Sequence, residues 1–287
     1  MTSITVRRLD AGDLDFAHEM LLSEDWNDRY EDAERMLSYE PEGCFIAEIG
    51  QERVGHVFSV SYRTLAWIGY LIVKAGYRKK GIATMLMKKA LDYLQKKKHV
   101  KTVKLEAVPE IADLYRKLGF TDEYDSLRFA GTAQHHSMQA KSIVQPASHS
   151  LIPDIAEFDA AYFGANRARV LSKLLDAFPH LFFVARHDSG LEGYIACRKA
   201  ESGYKLGPWV CNPQKPKTAE QLLTACLPAI EPHSRIFIGT PAPNRTAVTI
   251  LARYGFERYS RSLRMRLGPP TRDRVEGVFA IGGPMKG

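Results

Sequence analysis

The chain has 287 residues, 45% hydrophobic and 25% charged, as expected of a globular protein with buried cores, and its length suits about two domains. Lysine and arginine number 40 against 33 aspartates and glutamates, a net charge of +7 that suits a polyanionic ligand but is too mild to require nucleic acid, and none is expected. No run of about 18 apolar residues occurs and no apolar segment follows Met1-Thr2-Ser3, so the expectation is a cytoplasmic protein with no membrane span.

Ile4 to Leu9 alternates like a short strand, and Asp13–Trp26 and Asp32–Tyr39 carry the spacing of amphipathic helices. Cys44–Ile49 and Val54–Tyr62 read as a hairpin around the turn Gly50-Gln51-Glu52-Arg53. Trp67–Val73 follows as a central strand. A helix over Ile82–Lys97 then places Ile82, Met85, Leu86, Ala90, Tyr93 and Leu94 on one face. Thr102–Val108 reads as a strand, Ile111–Leu118 as a helix and Tyr124–Ala130 as a last strand. The lysines 96–98 end a helix, where positive charge suits its dipole. Cys44, Cys197, Cys211 and Cys226 are scattered without Cys-x-x-Cys spacing, so neither a zinc site nor a disulfide framework is expected.

The junction between the central strand and the following helix carries the chemistry. Arg78-Lys79-Lys80-Gly81-Ile82-Ala83 puts three cations and a glycine where a new helix points unpaired N–H groups and the positive end of its dipole, which makes a cradle for phosphate. Neither a Gly-x-x-x-x-Gly-Lys-Ser/Thr nor a Gly-x-Gly-x-x-Gly occurs, which disfavours P-loop nucleotide triphosphatases and dinucleotide folds. Arg-x-x-Gly-x-Ala after a hydrophobic strand resembles the acyl-CoA pyrophosphate loop of the GNAT superfamily of N-acetyltransferases. Asp113-Leu114-Tyr115-Arg116-Lys117-Leu118-Gly119-Phe120 is similar to that superfamily's helix ending in Leu-Gly-Phe, and Gly119 also reads as a helix C-cap.

Residues 132–150 are polar and read as a linker, and beyond them the chain repeats itself. Shifted by 136 positions, Leu118-Gly119-Phe120 falls on Tyr254-Gly255-Phe256, and Ser126-Leu127-Arg128 on Ser262-Leu263-Arg264. Leu181–Arg186 with Gly193–Arg198 gives a second hairpin, Tyr204–Val210 a second central strand and Ala219–Leu227 a second helix. The second copy has Asn212-Pro213-Gln214-Lys215-Pro216-Lys217-Thr218 in place of the cradle, with no glycine and two prolines that lack N–H donors, and Leu251 in place of Tyr115. Through Gly207-Pro208, Pro243-Asn244-Arg245 and Arg264-Met265 it resembles GNAT-like domains attached behind a catalytic one. The expected fold class is therefore α/β with an α+β mixed sheet, as two tandem GNAT folds. Residues 1–131 form the catalytic domain, 132–144 the linker, 145–270 a degenerate copy and 271–287 a tail.

The resemblance implies direct transfer of an acetyl group from acetyl-CoA, as co-substrate, to a primary amine in a ternary complex, with no metal. The pyrophosphate falls to Arg78, Lys79, Lys80, Gly81, Ile82, Ala83 and Thr84. The pantetheine arm pairs with the edge of Leu71, Ile72 and Val73, where a bulge splays the strand and offers N–H to the thioester oxygen. Tyr115 stands where the superfamily often has the proton donor to the thiolate; its alternative is a tyrosine that packs its ring. Trp67 to Tyr70 supply no carboxylate, which leaves Glu106 or a water chain as general base. Trp26, Asp28 and Tyr30 fall in the acceptor region, the alternative being a tryptophan that anchors two helices. His135, His136 and His149 read as solvated polar residues. The acceptor is a small-molecule or peptide amine. Transfer of a longer acyl group, or a non-catalytic acyl-CoA-binding or regulatory module, are the alternatives, and for the second copy a structural or substrate-covering role stands beside homodimerisation.

Overall fold

The computed structural model of the protein describes residues 3–133, 143–187 and 190–287; the linker histidines His135 and His136 lie outside them. The first half runs β1 (Ile4–Arg8), α1 (Leu14–Ser23), α2 (Tyr30–Tyr39), β2 (Phe45–Ile49), β3 (Glu52–Tyr62), β4 (Leu65–Val73), α3 (Ile82–Asp92), β5 (Thr102–Ala107), α4 (Ala112–Arg116) and β6 (Thr121–Thr132). The second half repeats the order as β7 (Val144–Pro146), α5 (Ile152–Phe163), α6 (Ala168–Ala177), β8 (Phe182–His187), β9 (Gly190–Lys199), β10 (Tyr204–Cys211), α7 (Pro216–Cys226), β11 (Arg235–Pro241), α8 (Arg245–Arg253) and β12 (Glu257–Leu267). A further strand, β13 (Val278–Ala280), follows. Among the described residues no helix is long and apolar enough to cross a membrane.

Among the described residues thirteen strands join one sheet in the order β1-β2-β3-β4-β5-β12-β6-β11-β10-β9-β8-β7, with β13 on β10. The halves exchange their last strands. β12 lies between β5 and β6, and β6 lies between β12 and β11, all antiparallel. Ser126 pairs with Ser262, its own counterpart in the repeat, so the pseudo-twofold axis passes between these two serines. Helices α1 and α2 bury Leu14, Leu21, Met36 and Tyr39 on one face of the first half, against Phe58 and Trp67. Helix α3 buries Ile82, Leu86, Met87 and Ala90 on the other, against Ile68, Val103 and Leu105, each fully buried aliphatic contributing about 1.5–3 kcal/mol.

Several expected boundaries shift. The helix from Ile82 stops being α-helical at Asp92 and continues as a π-helical stretch over Tyr93–Lys97, and Met85 is exposed while Met87 takes its place in the core. Helix α4 spans only Ala112–Arg116, because the chain turns over at Gly119 with φ +90°. Residues 271–287, read from the sequence as a tail, fold back onto both halves. Lys104 holds Asp273 at 2.8 Å, Tyr62 donates to the Lys286 carbonyl and Arg167 donates to the Gly287 carbonyl, while Thr102 Oγ1 donates to the Pro269 carbonyl just before the segment begins. Met285 and Lys286 are buried at 2% and 3% exposure.

Candidate active site

Strands β4 and β5 run parallel only over Leu65–Trp67 and Thr102–Lys104, then separate. At the point of separation β4 bulges: Phe58 of β3 faces Gly69, His56 faces Ile72, and Tyr70 between them takes φ +50°. That bulge turns the edge of Leu71, Ile72 and Val73 away from β5 while β3 still pairs with the other edge. His56 lies buried beneath it, and burial pushes its imidazole down to about 4, so it is neutral near pH 7.

The chain leaves β4 through the turn Ala75–Tyr77 and enters α3 at Gly81, whose φ of +82° suits glycine. A β-carbon there would meet nothing within 4 Å, so it is the backbone conformation, not crowding, that favours glycine. Lys79 also takes a positive φ of 62°. Lys79, Lys80 and Gly81 are exposed, and the first amides of α3, which follow them, have no partner within their own helix. Arg78 is less available than its sequence position suggests, since its guanidinium pairs with Glu24 and donates to the Val73 carbonyl at 2.9 Å.

A cavity of about 670 Å³ opens beside the bulge, walled by both halves and by the returning 281–285 segment. Gly69, Tyr70 and Glu106 form its floor; Trp26 and Asp28 come from the α1–α2 connection; Lys205, Phe237, Tyr259 and Ser262 come from the second half; Gly283, Pro284 and Met285 close it. A β-carbon on Gly69 would lie 2.4 Å from the Met285 β-carbon, so glycine here lets the returning segment reach the bulge.

The expected site residues divide. Trp26 and Asp28 line the cavity, whereas Tyr30 begins α2 and turns its ring edge-on to His18 instead. Asp28 holds Lys205 at 2.7 Å and Arg198 at 3.2 Å. Glu106 lies at the cavity, but its carboxylate is fully shielded and doubly clamped: Arg264 reaches one oxygen at 2.6 Å, Arg128 the other at 2.9 Å, and Ser262 donates to it as well. Burial alone would raise its pKa, yet the two guanidinium groups and the serine hydroxyl prevail and hold it below the ordinary value. A carboxylate so held is a weak acceptor of a proton, which counts against the general-base role expected for it. Tyr115 packs within the α3 core, edge-on to Phe120 at 6.0 Å, and burial pushes its hydroxyl pKa up. His149 pairs with Asp176 on the surface. Sequence reasoning missed Arg128, Arg264, Arg198 and Lys205. The repeated Ser-Leu-Arg was the available signal, because its two arginines converge on the single carboxylate.

The second half carries the same split and fills it. Strand β10 pairs with β11 only over Tyr204–Leu206, bulges at Gly207-Pro208 (a cis peptide), and then binds β13 through Trp209 and Val210. Asn244 caps α8 through its Oδ1 and donates Nδ2 to the Glu276 and Val278 carbonyls, Thr240 donates to the Phe279 carbonyl, and the Ile281 N–H donates to Gly239. The strand edge that stays open in the first half is here occupied by the chain itself.

A model of the acetyltransferase (GNAT) family matches residues 11–120, and a model of the acetyltransferase (GNAT) domain matches residues 155–280. The holothin acyltransferase of Pseudoalteromonas sp. (strain SANK 73390) is 26% identical over 265 residues, 92% of this chain and 88% of that protein. The crystal structure of a putative acetyltransferase from Pyrococcus horikoshii superposes with a TM-score of 0.85 over 100% of this chain and 97% of the other, at 24% identity. A tandem GNAT protein from the clavulanic acid biosynthesis pathway superposes at 0.65 over 93% and 100%, at 16% identity. Both likenesses concern the fold. With a GNAT match in each half, and one fold spanning both, the chain belongs to the GNAT acyltransferases, a superfamily that uses acyl-CoA, as a protein of two tandem GNAT domains.

Proposed function

We propose that the first domain transfers an acetyl group from acetyl-CoA to an amine by direct attack in a ternary complex, and that the second domain covers the acceptor. The observation that carries this reading is the open split between β4 and β5, with the 78–84 loop at one end and the interdomain cavity beside its bulge, set against a second split closed by β13. Pantetheine adds to the edge of Leu71, Ile72 and Val73, where Arg78 now donates to the Val73 carbonyl, its pyrophosphate meets the α3 amides with Lys79 and Lys80, and an N–H of the bulge stabilises the thioester oxygen. In this reading Tyr115 is the proton donor to the departing thiolate; burial in the α3 core, outside the cavity lining, keeps its hydroxyl protonated and makes it a weaker acid than a free tyrosine, so the donor role rests on its place in the helix that ends in Leu118-Gly119-Phe120 and not on its pKa. Holothin, the acceptor named for the relative, is a first acceptor to try, and that relative's broader acyl designation makes a longer acyl group the second reading.

The test follows thiol release from acetyl-CoA in the presence of amines. Tyr115→Phe is expected to lower kcat by on the order of 10²-fold with KM for acetyl-CoA unchanged. Unchanged turnover removes the acid role, and no amine-dependent thiol release from any acyl-CoA contradicts the transferase reading.

A further inference from the structure

Resting on that reading, we infer that the acceptor is a weakly basic, ring-bearing amine, aromatic or heteroaromatic, that enters the cavity uncharged. Charge pairing is the first ground. The two deep carboxylates, Asp28 and Glu106, each hold two cations, and Arg261 at the wall is taken by Asp125 at 2.6 Å. Asp25 and Glu201 stand exposed at the rim. A polyamine or aminoglycoside needs free carboxylates deep in the site, and among the described residues lining it there are none.

The second ground is the wall. Trp26 from the first domain, backed by the buried ring of Tyr70 at a centroid distance of 6.0 Å, and Phe237 with Tyr259 from the second, 6.2 Å apart, line the same space. Leu22, Val108 and Tyr259 remain 44%, 42% and 57% exposed around it, apolar surface that an apolar ligand would cover.

The third ground is proton balance. In the transfer the amine lone pair attacks the thioester carbonyl carbon, the C–N bond forms, the C–S bond breaks and its electron pair goes to sulfur. The proton that nitrogen sheds balances the one the thiolate gains. An alkylammonium must lose an additional proton before it can attack, and the deep carboxylates are engaged in ion pairs. An aryl amine already carries its lone pair at neutral pH and needs no base to free it.

Aniline, benzylamine and spermidine separate the contributions, since the first two share a ring and differ in basicity. At pH 7 the expected kcat/KM for aniline exceeds that for benzylamine by at least about tenfold, and benzylamine exceeds spermidine. Across pH 6.5–8.5 the aniline value stays flat while the benzylamine value climbs. Tyr259→Ala, an exposed change, is expected to raise KM for aniline several-fold with KM for acetyl-CoA unaltered. A preference for spermidine or lysine, or a benzylamine rate equal to that of aniline at pH 7, overturns the inference while leaving acyl transfer standing. Acetyl-CoA that binds in calorimetry but is turned over with none of these amines also overturns it, and acetyl-CoA that does not bind overturns the transferase reading beneath it.

Discussion

Arg128 and Arg264 occupy equivalent places in the two copies and meet at Glu106, and Arg264 also lies over the Trp67 ring at 4.3 Å. Glu106 thus ties β5 to the two exchanged strands beside it. A second buried group of this kind is Lys286, fully enclosed near Arg198, Arg35, Asp32 and Asp28. Burial, followed by Arg198, lowers its pKa to about 7 from the ordinary 10.5, against the pull of the two aspartates. In the unfolded chain the amine stays protonated up to its ordinary value, so between about pH 7 and 10.5 the unfolded state holds more protons and stability rises with pH, by up to about 1.4 kcal/mol per unit. Below pH 7 the full penalty for charging the buried amine is present. Lys286→Met, which leaves Arg198, Arg35 and Lys205 beside the aspartates, is therefore expected to raise the unfolding temperature at pH 6 and to lose that advantage by pH 10. Calorimetry across this range checks it; a difference independent of pH would show that Lys286 does not titrate between the two states.

The exchange of β6 and β12 sets what each element can do alone. Without β12, β5 loses its antiparallel neighbour and Glu106 loses Arg264 and Ser262; without β11, β6 becomes a bare edge. A chain of residues 1–131 is thus expected to be insoluble or non-cooperative in thermal unfolding, and to recover if residues 143–287 are supplied in trans. Cooperative unfolding of 1–131 by itself would count against the exchange. The β4–turn–α3 unit was legible in the sequence because its signals are local: an apolar strand, three cations, one glycine and an amphipathic helix. The exchange was not legible, since the alternation in Thr121–Thr132 is the same whichever strand it meets. Three residues, Val278–Ala280, are likewise too few to show a period, so β13 looked like part of a tail. The returning segment's part in the cavity wall escaped for a related reason. Gly69 and Met285 touch although more than two hundred positions separate them, and no spacing rule joins them.

At the scale of the molecule the two domains share one sheet and have opposite fates at the same feature. Each splits its central parallel pair at a bulge. The first leaves the edge free beside a glycine-bearing loop, while the second covers it with β13, held by Asn244 and Thr240, and replaces the loop with Asn212–Lys215 and a helix that begins at Pro216. The returning segment goes on from β13 to the first domain's bulge, so the plug of one split and a wall of the other cavity are a single stretch of chain. Sequence comparison between the copies already pointed to this asymmetry through the lost glycine; the structure adds the physical obstacle. Calorimetric titration of the full chain with acetyl-CoA tests it most directly. One site per chain is predicted, lost in Gly81→Asp, which sets a carboxylate into the cationic loop at φ +82°; two sites per chain, or one site that survives Gly81→Asp, would contradict the assignment of the cofactor to the first domain.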